Sequence, residues 1–260
     1  MVDGGEVRRL VATASTRRPR LLRIALDSAS GTEAPSTATA LVDLGAGAPA
    51  SDLLAAAAVW LGLDLDPAPA LAVLGRHAVL GPLLARRPGL AIPGTVDGGE
   101  LALRTVLGQQ VSVAAARTLT ARLVARLGDE GPEGLRRFPA PASILGAGTG
   151  LLRSIGLTGS RAATVVHLAG ALDAGLDLSP GADPAAAREE LGALPGIGPW
   201  TVEYVALRAL RDMDAFPAHD LVLRQALGGV DARQALRIAE EWRPWRGLAA
   251  QHLWRASALR

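Results

Sequence analysis

A turn with two glycines in three residues is the feature that most limits how this chain can fold. The segment "LPGIG", residues 194–198, lies between two stretches with helical periodicity. Gly196 and Gly198 allow positive φ and the close approach of another molecule's backbone. The next helix starts at about Pro199, so its free N–H groups point into the turn, where they could bind a phosphate. The turn is either a plain connection between packed helices or a hairpin that binds the DNA backbone without sequence-specific base contacts.

Two aromatic residues follow this turn. Trp200 and Tyr204 are four residues apart and therefore share one face of the predicted helix. Tyr204 is the only tyrosine of the chain, which also has five tryptophans. Both rings could simply pack in the core. Their place between a phosphate-binding turn and an acid favours a binding pocket instead.

That acid is Asp220, which follows "AFPAH" and precedes the helical pattern "LVLRQAL". Its simplest role is to cap the N-terminus of the next helix, where the helix dipole favours an anion. An anion at this place could also stabilise the oxocarbenium-like transition state of a glycosidic cleavage, or deprotonate the attacking water. The two roles are compatible.

The content of charged residues and cysteine excludes several kinds of catalytic and metal chemistry. The chain has 27 Lys+Arg and 25 Asp+Glu, and every one of the cations is Arg. Residues 1–100 hold 9 Arg and 10 acids, whereas residues 101–260 hold 18 Arg and 15 acids, which is weak support for nucleic-acid binding. Without Lys, no side chain can form a Schiff base. Without Cys, disulfides, thiolate zinc sites and iron–sulfur clusters are excluded. We expect no cofactor.

The sequence gives no sign of a membrane protein. The longest Ala/Leu-rich run, residues 53–63, is too short to span a bilayer, and no charged and then apolar leader opens the chain. We therefore expect a cytoplasmic location and no membrane partner. We also expect a monomer.

The patterns predict an α+β protein that is mostly α. "EVRRLVATAS", "RLLRIALDSA" and "TATALVDLG" alternate as strands, and "SDLLAAAAVWLGLD" reads as a helix capped by Ser51. Helical spacing continues from "GGELALRTVLGQQ" and "SVAAARTLTARLVARLG", the latter capped by Ser112 and stopped by Gly128, to the last helical pattern, "PWRGLAAQHLWRASA". Three prolines are expected in first turns of helices: Pro184, Pro199 and Pro244.

Three ordered blocks carry a resemblance to a known family. They are "RRPGLAIPGTVDGGELALRTVLGQQVSVAAARTLTARL", then "LPGIGPWTVEYVALR" with "FPAHDLVLRQ", and last "RIAEEWRPWRGLAAQHLWR". Together they resemble the helix-hairpin-helix–Gly/Pro–Asp superfamily of DNA glycosylases, and within it the bacterial 3-methyladenine DNA glycosylase II family. The match covers the chain from about Leu74 to its end.

The resemblance implies roles for individual residues. Asp220 would be the catalytic carboxylate, and Trp200, Tyr204 and Trp254 would line the pocket for a flipped base. Electron-rich rings attract alkylated purines, which carry positive charge. Because such a base is already a good leaving group, one carboxylate and a stacking pocket could suffice once the base is flipped.

The resemblance also implies how DNA is held. Backbone amides of the hairpin would bind a phosphate of the DNA, and a monovalent cation on hairpin carbonyls would help. The DNA-binding residues of the hairpin would be Gly196, Ile197, Gly198 and Thr201. Gln109 and Gln110 correspond to the loop that enters the minor groove. Gln110 stands where the best-studied member of the family has a Leu, so the wedge here would be an amide. His219, just before Asp220, could tune the carboxylate or be a plain surface residue.

The family's architecture implies three domains: a small antiparallel α+β domain at residues 1–73, followed by two helical domains that make up the helical region, residues 74–260. The central helical domain with the hairpin would cover 98–212, and the second would combine 74–97 with 213–260. The family's usual first strand and helix are not found before "VDGGEVRRL", so we expect a sheet that is incomplete at its start.

Two functions remain open on these grounds. The first is a monofunctional glycosylase that excises alkylated bases from duplex DNA with water as the nucleophile, since relatives that also nick the backbone place a Lys in the hairpin helix. The alternative is a non-catalytic helix-hairpin-helix module that only binds DNA. Asp220 and the pocket aromatics count against that alternative.

Overall fold

A small antiparallel sheet begins the fold. The structure, a computed structural model, describes residues 2–3, 6–11, 20–25 and 50–258. Its strands are β1 (Val2–Asp3), β2 (Glu6–Val11) and β3 (Arg20–Ala25), joined in the order β1-β2-β3. The predictions for β2 and β3 are confirmed, whereas the predicted strand "TATALVDLG" lies outside the described residues.

The first helix, α1 (Ala50–Leu61), packs against this sheet. Val11 and Leu22 from the strands and Leu53 and Ala57 from α1 form a small buried cluster. The expected cap at Ser51 is wrong because the helix already includes Ala50, and the Ser51 hydroxyl donates to Asp52 Oδ1 at 3.3 Å instead.

Helices make up most of the remaining described chain. They are α2 (Ala68–Leu74), α3 (Gly81–Arg86), α4 (Gly98–Leu107), α5 (Val113–Leu127), α6 (Pro141–Ser154), α7 (Gly159–Asp173), α8 (Pro184–Ala193), α9 (Pro199–Arg208), α10 (Leu221–Ala226), α11 (Ala232–Ala239) and α12 (Arg246–Ser257). Short 3-10 turns lie at Pro132–Gly134 and Glu240–Trp242. The fold is thus α+β and mostly α, as expected. None of the helices in the described residues is both long and apolar enough to cross a membrane.

The predicted residues at the starts and ends of helices are mostly confirmed. Ser112 caps α5 by accepting from the Ala115 N–H at 3.2 Å, and Gly128 follows its last residue. Pro184 and Pro199 are the first residues of α8 and α9. Pro244 is not in a first turn, because Trp245 has a non-helical backbone (φ −112°, ψ 26°) and α12 begins only at Arg246.

One continuous core joins the helices. Its buried apolar side chains run from Ala70 in α2 to Leu253 in α12, and its largest fully buried side chain is Trp242. Helix α4 packs against α5, α7 and α9, while α10 packs against α12. The helices that carry the site described below therefore share one buried core. The domain division stays a prediction; the proposed boundary after residue 73 falls inside α2.

Candidate active site

The glycine turn has the tight geometry that a hairpin needs. It joins α8 to α9, and the Ile197 N–H donates to the Leu194 carbonyl at 3.1 Å to close it. Gly196 has φ 86°, and a Cβ there would lie 2.0 Å from Oγ1 of Thr164 on α7. No other residue fits this place without moving α7, so Gly196 sets how closely the turn packs on the helix behind it.

Gly198 matches the second of the two uses expected of the turn glycines, the close approach of another molecule. Its φ is −96°, which any residue can adopt, and a Cβ there would meet nothing within 4 Å. Of the two turn glycines, positive φ is therefore found only at Gly196. Gly198 is the N-cap of α9, and within the described residues its N–H donates to no acceptor. The absence of a side chain leaves open space in front of this amide.

The other two hairpin residues offer little surface to DNA. Ile197 and Thr201 are 9 % and 2 % exposed as whole residues, backbone included. The Thr201 N–H already donates to the Gly198 carbonyl at 2.9 Å. Of these three amides, those of Ile197 and Thr201 already have acceptors within the protein, whereas that of Gly198 has none among the described residues.

The two glutamines after α4 have separate roles. Gln109 is tied to the hairpin, because its Nε2 donates to Thr201 Oγ1 at 3.2 Å and to the Gly196 carbonyl at 3.4 Å. Gln110 is exposed and has φ 55°. Gln110 is therefore exposed to solvent on a loop whose preceding residue, Gln109, is hydrogen-bonded to the glycine turn.

The carboxylate of Asp220 is where the site comes together. Its Oδ2 accepts from Trp200 Nε1 at 2.8 Å. Its Oδ1 accepts from Trp254 Nε1 at 3.1 Å and from the Leu223 N–H at 3.0 Å. Asp220 is indeed the N-cap of α10, as its sequence position predicted. It is also held by two indoles from α9 and α12, which sequence spacing could not show.

The aromatic residues expected to line the pocket form one cluster beside this carboxylate. Trp200 and Tyr204 stack with ring centroids 5.2 Å apart and an interplanar angle of 14°. Tyr204 and Trp254 meet edge-on, with centroids 6.3 Å apart. All three rings are half-buried, so each retains surface that a ligand could contact. His219 is exposed, in agreement with the surface interpretation, and the described hydrogen bonds join it to no atom of Asp220.

An ion-pair network braces the loop that leads to Asp220. Glu203 on α9 accepts from the Phe216 N–H and from Arg188 Nε, each at 2.9 Å. Arg188 also pairs with Asp212. Burial acts to lower the pKa of Arg188, but the hydrogen bonds that it donates to Glu203 and Asp212, together with the negative charge of both acids, outweigh burial and raise that pKa above its ordinary value. Sequence analysis missed this network, because its members are brought together only by the packing of α8 on α9.

One further side chain reaches the aromatic cluster. Arg208, one turn beyond Tyr204 on α9, has its guanidinium carbon 5.6 Å from the Tyr204 ring centroid. Its Nη1 donates to the Tyr204 hydroxyl at 3.4 Å. Its position at i+4 from Tyr204 was visible in the sequence, but nothing in that spacing distinguished it from a solvated cation.

Metal binding by side chains has no candidate among the described residues, where no group of three or more His, Cys, Asp or Glu is arranged as a ligand set. The monovalent cation expected on hairpin carbonyls would need no such set. It stays a prediction.

These features define a class: a helix-hairpin-helix protein in which an anchored carboxylate stands beside an aromatic cluster. Residues 103–243 match the family model of the HhH-GPD superfamily of base excision DNA repair proteins. That match includes more than half of the chain, so the chain belongs to this superfamily.

Individual relatives agree with the assignment. The chain is 43 % identical over 203 residues to a probable bifunctional transcriptional activator/DNA repair enzyme AlkA of Mycobacterium tuberculosis, covering 75 % of this chain and 40 % of that protein. It is 40 % identical over 182 residues to DNA-3-methyladenine glycosylase 2 of Escherichia coli, covering 68 % and 64 %. The chain thus spans less than two thirds of either relative.

A solved structure matches over almost the whole chain. A 3-methyladenine DNA-glycosylase from Archaeoglobus fulgidus superposes with a TM-score of 0.81 at 26 % identity, and the match covers 99 % of this chain and 89 % of that one. The overall arrangement of helices described above is therefore shared with that protein.

Proposed function

We propose that this protein is a monofunctional DNA glycosylase that flips alkylated bases such as 3-methyladenine and 7-methylguanine out of duplex DNA and hydrolyses their N-glycosidic bond, as the first step of base excision repair. The names of its relatives, a DNA repair enzyme and 3-methyladenine glycosylases, support this class of substrate. The superfamily to which the chain belongs supports the repair process.

The observation that carries the proposal is the pair of indole hydrogen bonds to Asp220. The donors belong to Trp200 and Trp254, which are also two of the three aromatic residues of the cluster. A base that contacts these rings would therefore bring its sugar close to the carboxylate. This is the arrangement that a glycosidic cleavage needs, because positive charge develops on the sugar as the base leaves.

Asp220 would act as an oriented anion. Three hydrogen bonds fix its carboxylate, so little reorganisation is required when the oxocarbenium-like charge appears. Water would be the nucleophile, either attacking the stabilised cation directly or losing its proton to Asp220. No side-chain amine can replace water, since the chain has no Lys.

The aromatic cluster would select the damaged base. Alkylation at N3 of adenine or N7 of guanine leaves the purine with a positive charge, and the faces of Trp rings attract cations. The same charge makes the base a good leaving group, so the proposal needs no general acid. The geometry agrees, because the carboxylate in the cluster is already engaged by three donors.

The hairpin and the Gln110 loop would hold the DNA. The Gly198 amide and the start of α9 offer a phosphate site that reads no sequence. Gln110, exposed at the end of a loop anchored by Gln109, would enter the space that the flipped base leaves. In the non-catalytic alternative, Asp220 would need only its cap bond from the Leu223 N–H, and the two indole hydrogen bonds would have no role in DNA binding.

The direct test is the profile of bases released from DNA treated with a methylating agent. Wild-type protein should release 3-methyladenine and 7-methylguanine, and Asp220→Asn should abolish release while it retains binding to abasic DNA. Asp231→Asn is the matched control, because Asp231 caps α11 through the same kind of bond to Gln234 N–H and lies outside the aromatic cluster. Full activity of Asp220→Asn would show that the catalytic assignment is wrong. The cytoplasmic location and the monomeric state stay predictions.

A further inference from the structure

Arg208 ends a row of three side chains on one face of α9. Trp200, Tyr204 and Arg208 follow one another at intervals of four residues. The indole stacks on Tyr204 from one side of the row, and the guanidinium lies 5.6 Å from the same ring. The hydroxyl of Tyr204 also accepts from Arg208 at 3.4 Å. A permanent positive charge therefore belongs to the aromatic cluster itself.

This charge is not neutralised by the part of the chain that the structure describes. No carboxylate there forms an ion pair with Arg208, and its buried Nε has no acceptor. Two other half-buried arginines of the same region have acids: Arg188 pairs with Glu203 and Asp212, and Arg246 pairs with Asp214. Arg224 on α10 instead donates from Nε to the Val230 carbonyl at 2.9 Å, whereas the Nε of Arg208 has no acceptor. Arg211, three residues further along, pairs with Asp64 at 2.7 Å. A half-buried arginine without a carboxylate partner costs stability. Retention of such a residue beside the aromatic cluster therefore suggests a function for its charge.

We propose that Arg208 determines specificity by opposing the binding of cationic bases, so that the pocket also accepts neutral damaged purines. This proposal rests on the glycosylase function proposed above. The aromatic rings and Asp220 attract a positively charged base, and the fixed cation of Arg208 repels it. A neutral purine has little electrostatic interaction with Asp220 or with Arg208, and it still stacks on the rings. Arg208 thus lowers the ratio by which cationic bases are favoured over neutral ones.

The size of the effect follows from Coulomb's law. For unit charges about 8 Å apart, the repulsion changes a rate about twofold in a water-like dielectric and about thirtyfold at the effective dielectric of a protein surface. Removal of the charge should therefore raise the preference for cationic bases by about twofold to thirtyfold.

The test compares 7-methylguanine with hypoxanthine, each placed in a defined DNA duplex. Both purines carry a carbonyl at position 6. They differ in charge and in the 2-amino and N7-methyl groups of 7-methylguanine, so the measured quantity is the change in their ratio between wild type and variant, in which these constant differences cancel. Single-turnover excision rates give the ratio of the two directly. Arg208→Met removes the charge and the donor to Tyr204, whereas Arg208→Gln removes the charge and keeps a donor. Arg237→Met, at an exposed position of α11, removes one positive charge away from the cluster.

We expect the ratio of 7-methylguanine to hypoxanthine excision to rise in both Arg208 variants and to stay at its wild-type value in Arg237→Met. If Arg208→Gln keeps the wild-type ratio, Arg208 acts through its hydrogen bond to Tyr204 and the proposal is overturned. Equal losses on both bases in the two variants would also overturn it, since they indicate a structural role. Wild-type protein that releases neither base would instead refute the glycosylase function.

Discussion

The indole N–H of Trp254 donates to Oδ1 of Asp220 at 3.1 Å and thereby joins the last helix to the start of α10. The same oxygen accepts from the Leu223 N–H, so one atom serves both the helix cap and the aromatic cluster. Capping, which is the ordinary role of such an acid, and the proposed catalytic role use the same orientation of the carboxylate.

Replacement of Trp254 can separate its hydrogen bond from its ring. Trp254→Phe keeps an aromatic face and loses the donor, so excision should fall by about tenfold, the worth of one hydrogen bond to a charged group, on cationic and neutral bases alike. Trp254→Ala also removes the ring, and the further loss should be larger for 7-methylguanine than for hypoxanthine. Single-turnover rates on both bases give the answer. Trp60→Phe, at a half-buried tryptophan that packs against the N-terminal cluster, should change neither rate. Equal further losses in Trp254→Ala would contradict cation–π selection.

The two hairpin glycines should respond in opposite ways to alanine. Gly196→Ala places a Cβ against Thr164 in a left-handed backbone conformation, so unfolding free energy should drop by about 2 kcal/mol or more. Gly198→Ala meets no atom and has an ordinary φ, so stability should stay within about 1 kcal/mol of wild type. Its methyl group would nevertheless obstruct a phosphate. We expect binding to abasic DNA to weaken by about tenfold, the equivalent of one charge-assisted hydrogen bond.

Urea unfolding and a DNA-binding titration on both variants check this pair. Wild-type affinity in Gly198→Ala would show that no phosphate approaches this amide. Unchanged stability in Gly196→Ala would contradict the close packing of the turn on α7.

The parts of the site that the sequence revealed are those set by local spacing. Trp200 and Tyr204 stack because they are four residues apart, and Asp220 caps α10 because it directly precedes that helix. The bond from Gln109 to Thr201 and the bond from Glu203 to the Phe216 N–H depend on how distant segments pack, which no periodicity encodes.

The fold was predictable to a similar degree. Helical spacing predicts most of the helices, whereas it does not predict α6, because the sequence "PASILGAGTGLLRS" has three glycines and bends at Gly148, where φ is 67°. The sequence offers two uses for the turn glycines, positive φ and an open approach, and only the structure assigns the first to Gly196 and the second to Gly198.

The ion-pair network that braces the loop leading to Asp220 predicts a coupled loss of activity and stability. In the wild type, the two carboxylate oxygens of Glu203 accept separately from Arg188 and from the Phe216 N–H. Glu203→Gln replaces one of these oxygens with an NH2 group, which cannot accept, so one of the two donors loses its partner. We expect unfolding free energy to fall by about 1–3 kcal/mol. Excision should slow as well, because Phe216 begins the segment that leads to Asp220. Thermal unfolding and excision rates measure both effects, with the exposed Glu189→Gln on α8 as control. Normal activity with lowered stability would show that the brace does not position the acid.

A buried histidine should make the fold sensitive to mild acid. His252 on α12 is 3 % exposed, and burial lowers its pKa below the usual 6.5, aided by the nearby charge of Arg87 and opposed by a hydrogen bond with the Leu83 backbone. As pH falls through about 6.5, the unfolded chain binds a proton that the folded chain rejects, so stability is lost below that pH and is fully present above it. The slope should approach, at most, about 1.4 kcal/mol per pH unit. His252→Gln cannot titrate and should flatten the dependence of unfolding free energy between pH 6.5 and 5, measured by urea unfolding. His167→Gln, at an exposed position of α7, should leave the wild-type slope in place. An unchanged slope in His252→Gln would show that this histidine is not the group that titrates.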